Sequence, residues 1–285
     1  MDLAAARPHP IPVYAEMGST NPLFILPGAA RERGEQIAAG VHGSVTVGAG
    51  QFCTKPGLVI VSGSETAQPL VKKIGELMSA TPESVLLTTG IRSAYRTGVA
   101  ARVKGGGVSA LAECATDQNA AGHRAGAALL ETTAARLSKD PHLAEELFGP
   151  ATLLVRYSNR DELMQLARQL EGHLTATVHG TEQDLRDYAD LLAILETKVG
   201  RVIINGYPTG VEVTHAMVHG GPYPATSDGR STSVGTQAIY RFTRLVCYQG
   251  YPDSALPEEL KDGNPLGIWR MVDGTLSHDA AAPVR

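Results

Sequence analysis

Short apolar runs recur along this chain at intervals filled by helix-length segments, and that alternation restricts the fold more than any other feature. Residues 57–62 read Gly-Leu-Val-Ile-Val-Ser. The run lacks polar alternation, as expected of a strand covered on both faces. Further strands are expected at 10–14, 22–26, 125–130, 151–156, 173–178, 201–204 and 244–248. Helices fall between them at 32–47, 64–78, 160–170 and 183–195. Gly34, Gly40 and Gly43 weaken the first helix. The second has Ser64 as a candidate N-cap and Leu70, Val71, Ile74 and Leu77 on one face. Strands separated by helices of this length form βαβ units. The expected fold is therefore α/β, a parallel sheet with helices on both faces. The tail after Ser277, with its Ala, Pro and Asp residues, is expected to fray.

Composition narrows the functional classes. Hydrophobic residues make up 43% of the 285, charged residues 19%, and the net charge is −4. That composition supports a packed core and argues against disorder. A mildly acidic chain without a basic stripe is not expected to bind nucleic acid. No apolar run reaches the roughly 18 residues of a membrane span, and the first ten residues lack the apolar core of a signal peptide. Cys53, Cys114 and Cys247 are odd in number and widely spaced. They form neither a disulfide framework nor a Cys-x-x-Cys metal site, so reduced thiols, a cytoplasmic location and no bound metal are expected. Cys114 and Cys247 are expected to be buried, and Cys53, in a Gly-rich loop, to be the most reactive thiol. The four residues after Tyr248, ending at Pro252, close a short apolar segment that is exposed to pairing if it lies at a sheet edge.

Three segments carry groups of chemical interest. Ala15-Glu16-Met17-Gly18-Ser19-Thr20-Asn21-Pro22 places a carboxylate before turn residues. Gly48-Ala49-Gly50-Gln51-Phe52-Cys53-Thr54 places a thiol in a Gly-rich loop before a buried strand. Glu145-Glu146-Leu147-Phe148-Gly149-Pro150 leads into another strand. Each has an ordinary reading by itself. A lone cysteine is most often a small inert residue, and a lone glutamate a solvated one. Gly48-Ala49-Gly50 and Gly105-Gly106-Gly107 lack the Gly-x-Gly-x-x-Gly spacing of a dinucleotide fingerprint.

In this order the three segments resemble the aldehyde dehydrogenase superfamily, whose members carry a Glu-Leu-Gly-Gly-Lys-like segment, then Gly-Gln-x-Cys, then Glu-x-Phe-Gly-Pro. The resemblance continues through Arg201-Val202-Ile203-Ile204-Asn205 and the Gly220-Gly221 turn. It departs at Ser19 and Thr20, where many members have Gly-Lys. It implies the catalytic, C-terminal half of such an enzyme, with the N-terminal cofactor domain largely absent. Residues 1–15 would be the last strand of that cofactor domain, 16–240 the catalytic domain, and 241–285 an oligomerisation strand and tail. Full-length members would be homo-oligomers.

The resemblance also implies roles. Cys53 would be the nucleophile, forming a thiohemiacetal and then a thioester. Glu16 would be the base that activates water. The backbone N–H of Cys53 would donate to the oxyanion. Glu146 would hold the ribose of NAD or NADP, with Phe148 packed beside it. Segments 16–22, 241–249 and 264–270 resemble the α-ketoglutarate semialdehyde (2,5-dioxovalerate) dehydrogenase subgroup. An anionic substrate calls for arginine, and Arg92 and Arg96 are candidates. Phe52, Val211 and Val213 are further candidates for the substrate pocket, within a loop, 207–213, that would line its entrance. Two other classes stay open. One is a non-redox thiol acyltransferase or hydrolase pairing Cys53 with His215 or His219. The other is a non-catalytic remnant or interaction module.

Overall fold

The computed structural model describes residues 1–114 and 122–281; the expectation of fraying beyond residue 281 lies outside the described residues. The strands are β1 (Leu23–Ile25), β2 (Leu58–Ser62), β3 (Ser84–Val85), β4 (Ser109–Glu113), β5 (Arg124–Ala125), β6 (Ala128–Thr133), β7 (Ala151–Tyr157), β8 (His173–His179) and β9 (Val199–Ile204). A seven-stranded sheet runs in the order β4-β6-β7-β2-β1-β8-β9. The pairings from β6 to β9 are parallel. β4 alone runs antiparallel to its neighbour β6, with a register shift between Ala110 and Ala112. This antiparallel edge was not expected from sequence: exposed Ser109, Ala110, Leu111 and Glu113 give it no buried apolar run to announce it.

The helices are α1 (Asp2–Ala5), α2 (Pro27–Thr46), α3 (Gln68–Ala80), α4 (Thr89–Lys104), α5 (Ala134–Lys139), α6 (Arg160–Gln169), α7 (Glu182–Asp187) and α8 (Ala189–Glu196). They cover both faces of the sheet, as the pleat requires. Leu23, Ile25, Val59 and Val61 pack with Ile37, Val41 and Val45 of α2 and Leu70, Ile74 and Met78 of α3. Their neighbours Phe24, Leu58 and Ile60 point the other way, to Leu163 and Leu166 of α6 and Leu191 and Leu195 of α8. Successive strand residues thus feed opposite cores, which is why the strand sequences show no polar alternation.

Local differences from the sequence reading have physical causes. α2 starts at Pro27, five residues before the expected start, because its first turn is capped from a distance. The Asp184 carboxylate accepts from Gly28 N at 3.1 Å and Ala29 N at 2.9 Å. The segment expected as one helix at 183–195 is two, broken at Tyr188, whose φ of −112° and ψ of 27° are non-helical. The segment from Ser64 opens as a 3-10 turn (Glu65–Ala67), and Ser64 makes no side-chain cap. The strand expected at 125–130 begins at Ala128. Ala125 instead pairs with Ser84.

Two expected strands are not formed. Residues 10–14 lie outside any ladder; Pro10 and Pro12 donate no hydrogen bonds, and the stretch is tied down by Ser227, whose hydroxyl donates to Val13 O and accepts from Ala15 N. Residues 244–248 join no strand in the single chain, and Leu245 is 97% exposed. The chain divides into compact units at Met1–Phe242 and Thr243–Arg285. The second holds a short hairpin, β10 (Arg270–Val272) with β11 (Thr275–Ser277). No helix among the described residues is long and apolar enough to cross a membrane.

Candidate active site

The three segments of chemical interest all precede strands: 15–22 runs into β1, 48–54 leads to β2, and 145–150 runs into β7. The topology therefore gathers them at the amino ends of the parallel strands. Asn21 fastens the first two together. Its side-chain amide donates to Cys53 O at 2.8 Å and Lys55 O at 3.0 Å, and its Oδ1 accepts from Ser19 Oγ at 2.9 Å. Ser19 Oγ in turn accepts from Leu174 N at 3.0 Å. The serine at a position where a glycine was expected by resemblance thus has a fixed structural task.

The thiol loop has an unusual backbone. Gly48, Ala49 and Gly50 all have positive φ, at 58°, 59° and 66°. A side chain at Gly50 would collide with the Gly149 carbonyl, so the loop can press against the segment entering β7 only with glycine there. Gln51 holds the loop from outside, its Oε1 accepting from Leu87 N at 2.8 Å.

Cys53 ends this loop with its thiol half-buried. Burial pushes the thiol up most, and the Glu16 charge and its hydrogen bond push it further; the backbone N–H groups of Cys53 and Thr54 pull it down. Glu16 lies beside it. Its backbone bridges Thr226, and Met17 N donates to Ala225 O at 2.8 Å. His219 completes the group: its Nε2 lies 3.6 Å from Cys53 Sγ and 2.9 Å from Glu16 Oε2. The sulfur, the imidazole nitrogen and a carboxylate oxygen all lie within 4.8 Å of one another. A thiol, an imidazole and a carboxylate also make a donor set of the kind Zn²⁺ takes. Sequence reasoning raised His219 only as one of two histidines for a rival chemistry. The other, His215, is exposed and bonds Thr236 Oγ1 at 2.9 Å.

His219 reaches the thiol because the Gly220-Gly221 turn lies hard against the sheet. A side chain at Gly221 would collide with His173 O, and one at Gly200 with Gly220 O. Thr232 Oγ1 fixes the backbone, accepting from His219 N at 2.8 Å.

Behind the thiol lies a residue the sequence reading passed over. Lys55 is fully buried, and its ammonium donates to Leu147 O at 2.9 Å and Ala151 O at 2.7 Å. Burial lowers its pKa to about 8, against the attraction of Glu146. A lysine at the mouth of an apolar strand was the available signal. Glu146 is raised, first by burial, while Lys55 and the Ser19 N–H favour its charged form. Its Oε2 lies so close to Gly18 that a Cβ there would sit 3.3 Å away. Beside it is a cavity of about 280 Å³ lined by Gly18, Ser19, Glu146 and His173 among others. His173 Nδ1 accepts from Thr20 N at 3.4 Å, while its Nε2 is buried without a partner.

The remaining candidates are less tied to the thiol. Phe148 is 37% exposed, and the Phe52 ring covers Gly48. Arg92, in the first turn of α4, donates from Nε to Arg124 O at 3.1 Å; Arg96 is exposed on the same helix. Val211 is half-buried and Val213 is 82% exposed. The loop that holds them returns from the end of β9 and is fastened by Arg201, whose Nη2 donates to Pro208 O at 2.8 Å. Neither Cys114 nor Cys247 is buried: Cys114 is partly exposed and Cys247 exposed.

A family model, the aldehyde dehydrogenase family, matches residues 3–245. The chain belongs to the aldehyde dehydrogenase family. It is 45% identical over 281 residues to alpha-ketoglutaric semialdehyde dehydrogenase 2 of Azospirillum brasilense, covering 96% of this chain and 52% of that one. It is 42% identical over 279 residues to the alpha-ketoglutaric semialdehyde dehydrogenase of Acinetobacter baylyi, covering 98% of this chain and 53% of that one. The chain thus spans about half the length of these aldehyde dehydrogenase relatives. Among solved structures of the fold, a putative methylmalonate-semialdehyde dehydrogenase from Sinorhizobium meliloti complexed with NAD matches with a TM-score of 0.68 at 21% identity, over 81% of this chain and 47% of that one. An aldehyde dehydrogenase from Bacillus cereus in complex with NAD+ matches with a TM-score of 0.66 at 19% identity, over 81% and 45%.

Proposed function

We propose that this chain carries the reacting groups for NAD(P)-dependent oxidation of a semialdehyde, with 2,5-dioxopentanoate as substrate and 2-oxoglutarate as product. The observation that supports the reading most is the convergence of the Cys53 thiol and the Glu16 carboxylate at one point. The substrate assignment rests on the two relatives named for that semialdehyde.

In this reading the Cys53 sulfur adds to the aldehyde carbon, and the Cys53 N–H steadies the oxygen as it gains charge. Glu146 is an acceptor for ribose hydroxyls, with Phe148 beside it, and the unpartnered His173 Nε2 adds a buried polar atom to the adjoining cavity. These groups suit a nicotinamide nucleotide, NAD or NADP. When bound, it supplies the hydride acceptor that turns the Cys53 adduct into a thioester. Glu16 then takes a proton from water as that water attacks the thioester, which frees the sulfur. Phe52, Val211 and Val213 would border the substrate, and Arg92 would serve its carboxylate only if the loop 207–213 brings the substrate near α4. We assign residues 1–15 to the edge of a cofactor domain, 16–240 to catalysis and 241–285 to assembly, with 244–248 pairing to another subunit of a homo-oligomer. Light scattering on this chain and on one ending at Tyr240 tests that last assignment: equal masses contradict it.

The test of function is the rise of reduced nicotinamide absorbance when the chain is mixed with 2,5-dioxopentanoate and NAD+ or NADP+. Turnover that Cys53→Ser abolishes supports the reading. Turnover unchanged in that variant contradicts it. The 3.6 Å contact of Cys53 with His219 favours one second reading, a thiol hydrolase. That reading requires thiol-dependent ester cleavage without any nucleotide.

A further inference from the structure

Cys53, His219 and Glu16 come from three separate segments, and the backbone of each is fastened independently. Asn21 holds the Cys53 carbonyl. Thr232 holds His219 N, and Glu16 is bridged to Thr226. His219 Nε2 lies 2.9 Å from Glu16 Oε2 and 3.6 Å from Cys53 Sγ. A hydrogen on Nε2 therefore points at the carboxylate, and one ring nitrogen stands between a sulfur and an oxygen. All three atoms lie within 4.8 Å of one another. The thiol is half-buried and the Glu16 side chain is 36% exposed, so solvent reaches the cluster.

We propose that Cys53 Sγ, His219 Nε2 and a Glu16 carboxylate oxygen bind Zn²⁺, and that the bound ion takes the sulfur out of reaction. The metal site stands on the geometry; the block it imposes rests on Cys53 being the nucleophile of the function proposed above. Zn²⁺ bonds thiolate sulfur at about 2.3 Å and imidazole nitrogen at about 2.0 Å in a tetrahedral shell, which sets those two ligands about 3.5 Å apart. The observed 3.6 Å already suits it. Nitrogen and oxygen ligands stand about 3.3 Å apart in the same shell, so the half-exposed carboxylate has to draw back from Nε2 by a few tenths of an ångström. The ion takes the place of the hydrogen between Nε2 and Oε2. The ring stays neutral with its one proton on Nδ1, the Cys53 S–H bond breaks with its electron pair left on sulfur, and that proton goes to solvent. Thiolate and carboxylate together balance the two charges of the ion, so Arg201, which interacts with the thiolate, meets a neutral centre. Water fills the fourth position, on the open side of the cluster. A set of one sulfur, one nitrogen and one oxygen suits Zn²⁺, whereas Mg²⁺ and Ca²⁺ take oxygen ligands.

The experiment is iodoacetamide alkylation at pH 7, resolved by peptide mass spectrometry, as zinc chloride is titrated into the reduced chain after removal of chelator. Exposed Cys247 in the same molecule is the internal reference. Zn²⁺ is expected to slow Cys53 alkylation at least about tenfold at concentrations that leave Cys247 unchanged, and Mg²⁺ is expected to slow neither. Loss of a residue that merely supports a ligand commonly weakens metal binding about 10- to 100-fold. His219→Gln and Glu16→Gln should therefore each raise the half-protecting zinc concentration by at least about tenfold. Equal slowing of Cys53 and Cys247, or an unaltered zinc titration in a folded His219→Gln chain, overturns the proposal. If the variants fail to fold, Co²⁺ in the unmodified chain and in Cys53→Ser decides. A sulfur-to-cobalt band with the strong visible absorption of tetrahedral Co²⁺, absent from Cys53→Ser, supports the site, and no such band overturns it. Adding 2,5-dioxopentanoate in place of metal separates this inference from the function. Protection of Cys53 by the aldehyde but not by Zn²⁺ overturns the metal site alone. Protection by Zn²⁺ but not by the aldehyde supports the metal site and overturns the nucleophile, and with it the block.

Discussion

The two ends of the parallel sheet both carry bonded polar side chains, but they use them differently. At the carboxyl ends, Asp184 accepts from Gly28 N, Ala29 N and Thr181 N. Asn205, at the end of β9, accepts from Gly180 N at 3.0 Å and donates to Gly180 O at 2.9 Å. Apart from Arg33 Nη2, which donates to Asn205 Oδ1 at 2.8 Å, these contacts go to the backbone, and what they hold is the start of α2 and the turn after β8. At the amino ends, the Asn21 amide holds the thiol loop through Cys53 O and Lys55 O, and Lys55 ties the loop's end to the segment entering β7. Above them, Cys53, Glu16 and His219 face one another and leave the sulfur accessible. A polar cluster whose bonds go mainly to backbone is scaffold. One whose side chains face each other, with exposure to spare, has groups available for chemistry. Open parallel sheets commonly place their ligands outside the carboxyl ends of the strands; here the reactive groups collect at the opposite end.

The largest expected effects test the scaffold on each side. Asp184→Ala and Asn21→Ala should each cost about 3 kcal/mol of stability in urea unfolding, because each leaves buried backbone groups without a partner. Only Asn21→Ala should also change the alkylation rate of Cys53. Equal disturbance of the thiol by Asp184→Ala would break the distinction between the two ends.

A somewhat smaller effect comes from the two ends of one strand. His173 and His179 begin and end β8, and burial lowers both to about 4. The folded form keeps them neutral, whereas the unfolded chain takes up protons below about 6.5. Stability is therefore complete above that value and falls as pH drops toward 4, by about 2 kcal/mol for each histidine at pH 5. Unfolding at pH 7 and pH 5 should show His173→Gln and His179→Gln each removing its own share. If neither variant reduces the pH dependence, the burial of these rings has been misjudged.

Lys55 gives an effect of the same sign, at higher pH and of smaller size. Its folded value of about 8 lies below the ordinary 10.5, so the unfolded chain binds the extra proton between the two. Stability should rise by about 1.5 kcal/mol from pH 8 to pH 9.5. Lys55→Met should flatten that rise, although it also leaves the Leu147 and Ala151 carbonyls without their donor. A rise that persists in Lys55→Met assigns it to another group.

Much of the fold was legible in the sequence because both faces of the sheet are covered, and apolar strands between helices have few other solutions. The parts that were not legible depend on distant partners. The true start of α2 needs Asp184, 156 residues from Gly28. The antiparallel β4 is an exposed edge without a pattern. The proline-containing 10–14 has strand composition but no neighbour. In the site, Cys53 and Glu16 were readable because each lies in a recognisable local segment. His219 was raised only beside His215 for a rival chemistry, and Asn21 and Lys55 not at all, because their contacts are made across the chain. The expectation that Cys114 and Cys247 are buried was also wrong: Cys114 is partly exposed and Cys247 exposed. Exposure alone therefore does not single out Cys53, and chemistry must.

The most direct test of that chemistry is site-resolved alkylation of all three cysteines in the native chain, with and without 2,5-dioxopentanoate. Addition of a thiol to an aldehyde needs no nucleotide. The account predicts that the aldehyde slows labelling of Cys53 and leaves Cys114 and Cys247 unchanged. Equal protection of the three, or protection of Cys247 with Cys53 unaffected, would contradict it.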